Sequence, residues 1–193
     1  MQGARAASAV RAPSDTDTPG ESVPDRARVA VEAVTVEQVR RVLDQVVDPE
    51  IPVLTIADLG VLRDVAVEGE RVVVTVTPTY SGCPAMDEIR ADVRSALQAA
   101  GMVDVEVRTV LAPAWTTAWM TPQGREKLVA FGIAPPTAGR TPSGPVALVL
   151  GTVRCPQCGS GDTEELTRFA STSCKALWRC RSCREPFDHF KDH

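Results

Sequence analysis

The sequence of 193 residues contains no run of about 18 apolar residues, so it offers no candidate membrane span. Its N-terminal residues lack the continuous apolar stretch of a secretory signal, and we therefore expect a cytoplasmic protein. The formal net charge is −4, and no segment is basic enough to coat nucleic acid by bulk charge. A reducing compartment favours free or metal-bound thiols over disulfides for the six cysteines.

Motifs of common enzyme classes are also missing. The sequence has no G-x-G-x-x-G dinucleotide loop, no phosphate-binding P-loop and no G-x-S-x-G nucleophile elbow. Its only two histidines, His189 and His193, lie at the C-terminal end, which is a poor position for a general base. We therefore predict that the chain is not a catalyst by itself.

Composition divides the chain into four parts. Residues 1–33 have no aromatic side chain and no sustained apolar period, which predicts a disordered N-terminal extension, with a helix over 26–33 as the alternative. Residues 133–146 are rich in proline and glycine and are predicted to form a linker. The parts on either side of it, 34–132 and 147–193, are predicted to be domains.

Apolar spacing in residues 34–132 changes between helical and strand periods. Thr35 and Gln38 fit a capping box, and apolar residues at three- and four-residue spacing extend the helix to Val47, before Pro49. A hairpin follows over 61–77, and a second helix opens at Pro84. We predict an α/β fold, a sandwich with a small mixed sheet and helices packed on it. Its remaining elements are an alternating strand over 103–108 and a helix over 124–131.

The second predicted domain is built around four cysteines. Cys155 and Cys158 form one C-x₂-C knuckle, and Cys180 and Cys183 form another after 21 intervening residues. Four soft thiolates at this spacing are typical of a tetrahedral metal site. A segment with so few aliphatic residues needs such a metal to fold, so we predict a structural zinc ribbon.

Iron or an iron–sulfur cluster on the same four thiols is the main alternative to zinc. A disulfide pair is disfavoured by the reducing compartment, and a thioredoxin-like redox motif is weaker still. Cys174 and His189 lie near the knuckles, and because four matched cysteines are already present we interpret both as bystanders.

Cys83 is the lone cysteine of the larger domain. It lies between a buried strand and the helix that begins at Pro84, and we predict that it is the N-cap. The positive end of the helix dipole would then lower the pKa of its thiol and favour metal binding. A small capping residue without chemistry is the alternative. Asp48 and Glu50 are likewise either exposed charges at a helix stop or part of a site.

Several motifs in order resemble the SufT-like domain of iron–sulfur assembly factors, over residues 35–132. A C-terminal ribbon beside such a domain further resembles the PaaD family, whose members belong to the bacterial phenylacetyl-CoA epoxidase system. The motifs are Asp48-Pro49-Glu50-Ile51-Pro52, Asp58-Leu59-Gly60, Thr77-Pro78-Thr79, Gly82-Cys83-Pro84, Pro113-Ala114-Trp115-Thr116, Met120 and Gly124-Arg125.

The resemblance implies a maturation role in aerobic phenylacetate degradation. The chain would help to deliver an iron–sulfur cluster or metal to the epoxidase, either to its reductase component or to its di-iron oxygenase. Cys83 would be a transient thiolate ligand for iron, cluster or client, surrounded by Asp48, Glu50, Thr77 and Trp115. Since one thiolate cannot hold a cluster permanently, a homodimer or the client would complete the ligand set.

Two other functions remain open at the level of sequence. The chain could be a purely structural subunit of the oxygenase. It could also be a nucleic-acid adaptor, because basic residues of the ribbon and a tryptophan could contact phosphates and a base. However, residues 151–193 carry seven basic and six acidic groups, which argues against nucleic acid as a partner. The residues concerned are Lys175, Trp178, Arg179, Arg181 and Arg184.

Overall fold

The computed structural model describes residues 33–137 and 152–193, so the predicted N-terminal extension and most of the predicted linker lie outside the described residues. None of the described helices has the length and apolarity needed to cross a membrane. The helices are α1 (Val36–Leu43), α2 (Ala85–Ala99) and α3 (Pro122–Ala130), with one 3₁₀ turn at Thr117–Trp119. The strands are β1 (Leu62–Glu68), β2 (Arg71–Val76), β3 (Asp104–Thr109), β4 (Ile133–Ala134), β5 (Thr163–Thr167), β6 (Lys175–Cys180) and β7 (Pro186–Phe190).

The first sheet has the order β1-β2-β3. β1 and β2 form the predicted antiparallel hairpin, and β2 pairs parallel with β3 through the crossover helix α2. Val72, Val74 and Val76 of the central strand are completely buried, as expected where a β-branched run lies between two neighbours. The predicted α/β fold with a small mixed sheet is thus confirmed.

Helix α1 begins as predicted and ends earlier. Thr35 and Gln38 form the capping box, but the helix stops at Leu43 instead of continuing to Val47. A helix through Pro49 would push the proline ring into the carbonyl four residues earlier. The chain instead becomes extended: the Ile56 N–H donates to the Val46 carbonyl, and Val47 pairs with Thr55 and is 42% exposed.

The ribbon sheet has the order β4-β7-β6-β5, and its first strand comes from the end of the α/β part. β4 pairs parallel with β7, so the predicted linker over 133–146 begins inside the ribbon sheet. The ribbon also contributes to the main hydrophobic core, because Cys174 and Phe190 are buried in the same cluster as the α/β residues. The two parts therefore pack as one unit.

Asp58 fastens the loop between α1 and β1 to helix α3. Its carboxylate accepts hydrogen bonds from the Thr55 N–H at 3.1 Å, the Thr121 hydroxyl at 3.1 Å and the Lys127 ammonium at 2.6 Å. Burial by itself would raise the pKa of Asp58, but the bonds from Lys127 and Thr55 outweigh it and lower the pKa. Gly60 follows with φ +71°, and a Cβ there would lie 2.5 Å from the Trp119 carbonyl oxygen.

We expect Asp58→Asn to lower the free energy of unfolding by about 1.5–3 kcal/mol at neutral pH, because a buried carboxylate loses charge-assisted hydrogen bonds. Since the folded pKa lies below the ordinary 3.8, this contribution is present above pH 3.8 and is lost as pH falls through the folded pKa. Urea unfolding across acidic pH should show the gap between wild type and variant narrowing. Asp64→Asn, at an exposed position, is the control, and a gap independent of pH would contradict the assignment.

Candidate functional site

Four cysteine side chains of the ribbon converge on one point. Each Sγ of Cys155, Cys158, Cys180 and Cys183 lies within 4.8 Å of the other three. The Cys155–Cys183 and Cys158–Cys180 sulfur pairs are 3.7 and 3.6 Å apart. Four sulfurs bound at 2.3 Å around a tetrahedral ion lie about 3.8 Å from one another. The group therefore has the spacing of a four-thiolate metal site.

The backbone around these thiols also favours their ionised form at one position. The Cys183 N–H donates to the Cys180 Sγ at 3.4 Å, and it lowers the pKa of Cys180 to about 6. Cys174 and His189 lie outside the group. His189 is buried, with its ring 5.7 Å from that of Trp178.

A second candidate site is a small cavity where the ribbon meets the α/β part. The space open to the centre of a water molecule is about 10 Å³. Two thiols and two carboxylic acids line it, among mostly apolar side chains. These four groups are Cys83, Cys174, Asp48 and Glu50, and the other lining residues are Ile51, Leu59, Val61, Thr79, Met86, Ile89 and Phe190.

Asp48 shapes the Asp-Pro-Glu turn at one side of the cavity. Its Oδ1 accepts the N–H groups of Glu50 at 2.9 Å and Ile51 at 2.8 Å. The side chain is buried, and burial raises its pKa in spite of these two hydrogen bonds. Glu50 is only half-buried. The interpretation of both carboxylates as exposed charges is thus wrong for Asp48, which holds the turn that carries Glu50.

Cys83 is half-buried on the opposite side of the cavity. The N-cap of α2 is Pro84 and not Cys83, so the predicted capping position is wrong by one residue. Hydrogen bonds from the Ala85 N–H and the Thr79 hydroxyl do stabilise the thiolate, as a helix start should. Burial and the nearby carboxylates of Glu50 and Asp48 oppose them, and burial is the larger effect, so the pKa is raised instead of lowered.

Cys174 is the functional candidate that the sequence reasoning assigned no role. It is buried directly before β6, with the Thr172 hydroxyl 3.0 Å and the Glu50 Oε2 3.6 Å from its sulfur. Burial is the main cause that raises its pKa, to about 11. The sequence shows a fifth thiol near the knuckles, but nothing in the local pattern connects residue 174 with residue 83.

Thr77 and Trp115, which the resemblance placed around Cys83, do not line the cavity. Thr77 is buried, and its N–H donates to the Val61 carbonyl at 2.9 Å. The Trp115 indole N–H donates to the Leu59 carbonyl at 3.0 Å, and its ring lies 6.1 Å from that of Phe190. Both side chains therefore support the residues that line the cavity.

Basic side chains of the ribbon are neutralised by its own acids. Arg179 and Arg181 both donate to the Glu164 carboxylate, each with one bond of 2.9 Å. Lys175 is buried and lies 3.3 Å from the Asp188 carboxylate. Groups already paired in this way are poor phosphate ligands, which weakens the nucleic-acid alternative.

An α/β domain joined to a four-cysteine ribbon agrees with the family models that match the sequence. The model described as "Iron-sulfur cluster assembly protein" matches residues 36–109, and the "PaaD zinc beta ribbon domain" matches residues 144–191. These matches define the class as an iron–sulfur assembly protein with a ribbon.

Relatives agree with this class. An Escherichia coli (strain K12) protein, named as a subunit of a "Putative 1,2-phenylacetyl-CoA epoxidase", is 51% identical over 81% of this chain and 92% of that protein. The chain belongs to the PaaD family, which confirms the predicted resemblance.

Two further similarities cover about half of the chain. A "Fe-S protein maturation auxiliary factor" of Porphyromonas gingivalis (strain ATCC BAA-308 / W83) is 36% identical over 49% of this chain and 90% of that protein. A crystal structure of a domain of unknown function from Bacillus anthracis is 33% identical and covers 48% of this chain and 89% of that one, with a TM-score of 0.44.

Proposed function

We propose that the protein is a non-catalytic maturation factor that helps to assemble an iron–sulfur cluster or metal on the phenylacetyl-CoA epoxidase system, with Cys83 as a transient thiolate ligand. The observation that carries the proposal is the cavity in which the half-buried Cys83 lies with the carboxylates of the Asp-Pro-Glu turn. Its clients are the reductase or the oxygenase component, and its compartment is the reducing cytoplasm, where thiols stay free.

The chemistry of Cys83 suits transfer better than storage. Permanent clusters are generally fixed by four ligands, whereas Cys83 is one thiol at the edge of a small cavity. Because burial raises its pKa, a proton competes with any metal at neutral pH, which keeps binding reversible. The carboxylates beside it attract a cation without closing the site.

The ribbon holds a different kind of metal in this proposal. Its four converged thiols have no open position for a substrate, and we assign them a structural zinc ion held by Cys155, Cys158, Cys180 and Cys183. Zinc has no redox chemistry, so an ion at this position stabilises the fold and is not the cargo.

Anaerobic activation of the epoxidase components tests the role of Cys83. We expect Cys83→Ala to lower the rate of client activation by about tenfold or more, because the cargo loses a ligand. Ser81→Ala, at an exposed position in the same loop, is the matched control. Unchanged client activation and iron binding in Cys83→Ala would contradict the proposal.

The amount of protein required separates maturation from the alternative of a structural component, which agrees with the name of the Escherichia coli relative. A maturation factor should activate an excess of client, because it is released after each transfer. A structural component should instead copurify in a fixed ratio and activate only stoichiometrically.

A further inference from the structure

We infer that Cys83, Cys174 and Glu50 together form a site for a single soft divalent metal ion at the junction of the α/β part and the ribbon. This rests on the proposed function and narrows it, because it identifies the cargo as one ion, such as Fe²⁺, and gives the ribbon a ligand of its own. Cys174, Glu50 and Cys83 come from three separate segments of the chain.

The geometry brings these groups together around one space. Cys83 and Cys174 line the same cavity, and the Cys174 sulfur lies 3.6 Å from the Glu50 Oε2. The Asp48 carboxylate fixes the turn that carries Glu50 through two backbone hydrogen bonds. Backbone pairing also fixes the position of Cys174, because its carbonyl accepts the Lys191 N–H at 2.9 Å.

The size of the cavity selects one ion over a cluster. Its 10 Å³ is about the space that a single water molecule needs, and a four-iron cluster is several times larger. The apolar neighbours Ile51 and Phe190 are almost completely buried, so the cavity cannot expand on that side without opening the core. A single metal ion of water-like radius fits the space.

The donor set selects the type of ion. Two thiolates and one carboxylate favour Fe²⁺, Co²⁺, Zn²⁺ or Cd²⁺ over Mg²⁺ and Ca²⁺, which prefer oxygen ligands. Binding breaks the two S–H bonds, forms two metal–sulfur bonds and releases two protons to water, with no change of oxidation state. Glu50 binds as the carboxylate.

The donor atoms are less tightly grouped than those of the ribbon. In the described part of the chain, the ribbon cysteines are the one set whose ligand atoms all lie within 4.8 Å of each other. An ion at the cavity would therefore draw Cys83 and Glu50 inward by side-chain rotation. Such a site exchanges its ion more easily than a closed one, which is what a donor of metal requires.

Cobalt titration of the full chain with zinc already bound to the ribbon tests the inference without any client. Thiolate-to-cobalt charge-transfer absorbance should rise to one equivalent of Co²⁺ per chain while the zinc content stays constant. Cys83→Ser and Cys174→Ser should each halve the absorbance per bound cobalt and weaken binding by about 10- to 100-fold. The double variant should give no such absorbance.

Glu50→Gln should keep the two-thiolate absorbance and weaken binding, whereas Ser173→Ala, at an exposed position next to Cys174, should match wild type. Circular dichroism and zinc content identify a variant that fails to fold. No Co²⁺ uptake by the wild type beyond the zinc, or unchanged absorbance and affinity in Cys174→Ser, would overturn the inference.

The two proposals fail separately. If Cys174→Ser binds cobalt like wild type while Cys83→Ala loses client activation, the shared site is wrong and the role of Cys83 stands. If both thiols ligate cobalt but Cys83→Ala activates its clients normally, the metal site stands and the maturation proposal is wrong.

Discussion

Removal of the ribbon metal by a strong chelator should abolish the folded structure of residues 152–193. The hydrophobic cluster that is separate from the main core consists of only five buried residues, two of which are metal-site cysteines. A core of this size cannot offset the entropy of ordering the chain, and structural zinc contributes about 10–16 kcal/mol in small domains of this kind. The members of the cluster are Ala134, Val153, Cys155, Cys180 and Phe187.

The Cys180→Ser variant should reproduce the effect of the chelator, because it removes a buried ligand of the group. Gln157→Ala, at an exposed position inside the first knuckle, is the matched control and should retain its metal. The measurements are metal content and near-ultraviolet circular dichroism, which reports on Trp178 and the ribbon phenylalanines.

The helices should survive in part, because α1, α2 and α3 all precede residue 131. We expect their far-ultraviolet signal to persist with a lower melting temperature, since the main core also loses Cys174 and Phe190. A metal-free ribbon with unchanged tertiary signals would show that its apolar contacts suffice, and would contradict the structural role of the ion.

Features fixed by neighbouring residues were predictable from the sequence. The capping box of Thr35 and Gln38, the hairpin and the two cysteine knuckles each depend on spacing within a few residues, and the structure contains all of them. The family resemblance added the order of the motifs, and the comparisons confirm it.

Effects of tertiary packing were not predictable in the same way. The helix-start interaction at Cys83 is local and is present, but the burial that reverses the direction of its pKa shift comes from residues distant in sequence. The end of α1 differs for a similar reason, since Val46 and Val47 pair with residues 54–56 instead of completing a helical turn.

The least predictable feature is the junction of the two parts. Phe190 and Cys174 belong by sequence to a ribbon that the metal holds together, and no periodicity shows that they enter the core of the other part. Their partners, Trp115 and Glu50, lie 75 and 124 positions earlier in the sequence. Only the packing of β7 on β4 and of Phe190 on Trp115 brings these residues together.

Phe190→Ala should destabilise the whole described unit by about 3–5 kcal/mol, the cost of deleting a buried aromatic ring from a close-packed core. The Phe190 side chain is 1% exposed and packs against Trp115, whose indole in turn holds the Leu59 carbonyl. Its loss therefore leaves a cavity between the ribbon and the α/β part. Chemical unfolding measured with metal bound gives the free energy.

Phe169→Ala provides the matched control, because it removes the same ring from the same ribbon at a position that is 67% exposed. It should cost less than about 1 kcal/mol. Because Phe190 also lines the small cavity, Phe190→Ala should in addition weaken cobalt binding although it removes no ligand. Equal stabilities of the two variants would mean that the ribbon and the α/β part do not share a core, and Cys174 would then have no fixed position opposite Cys83.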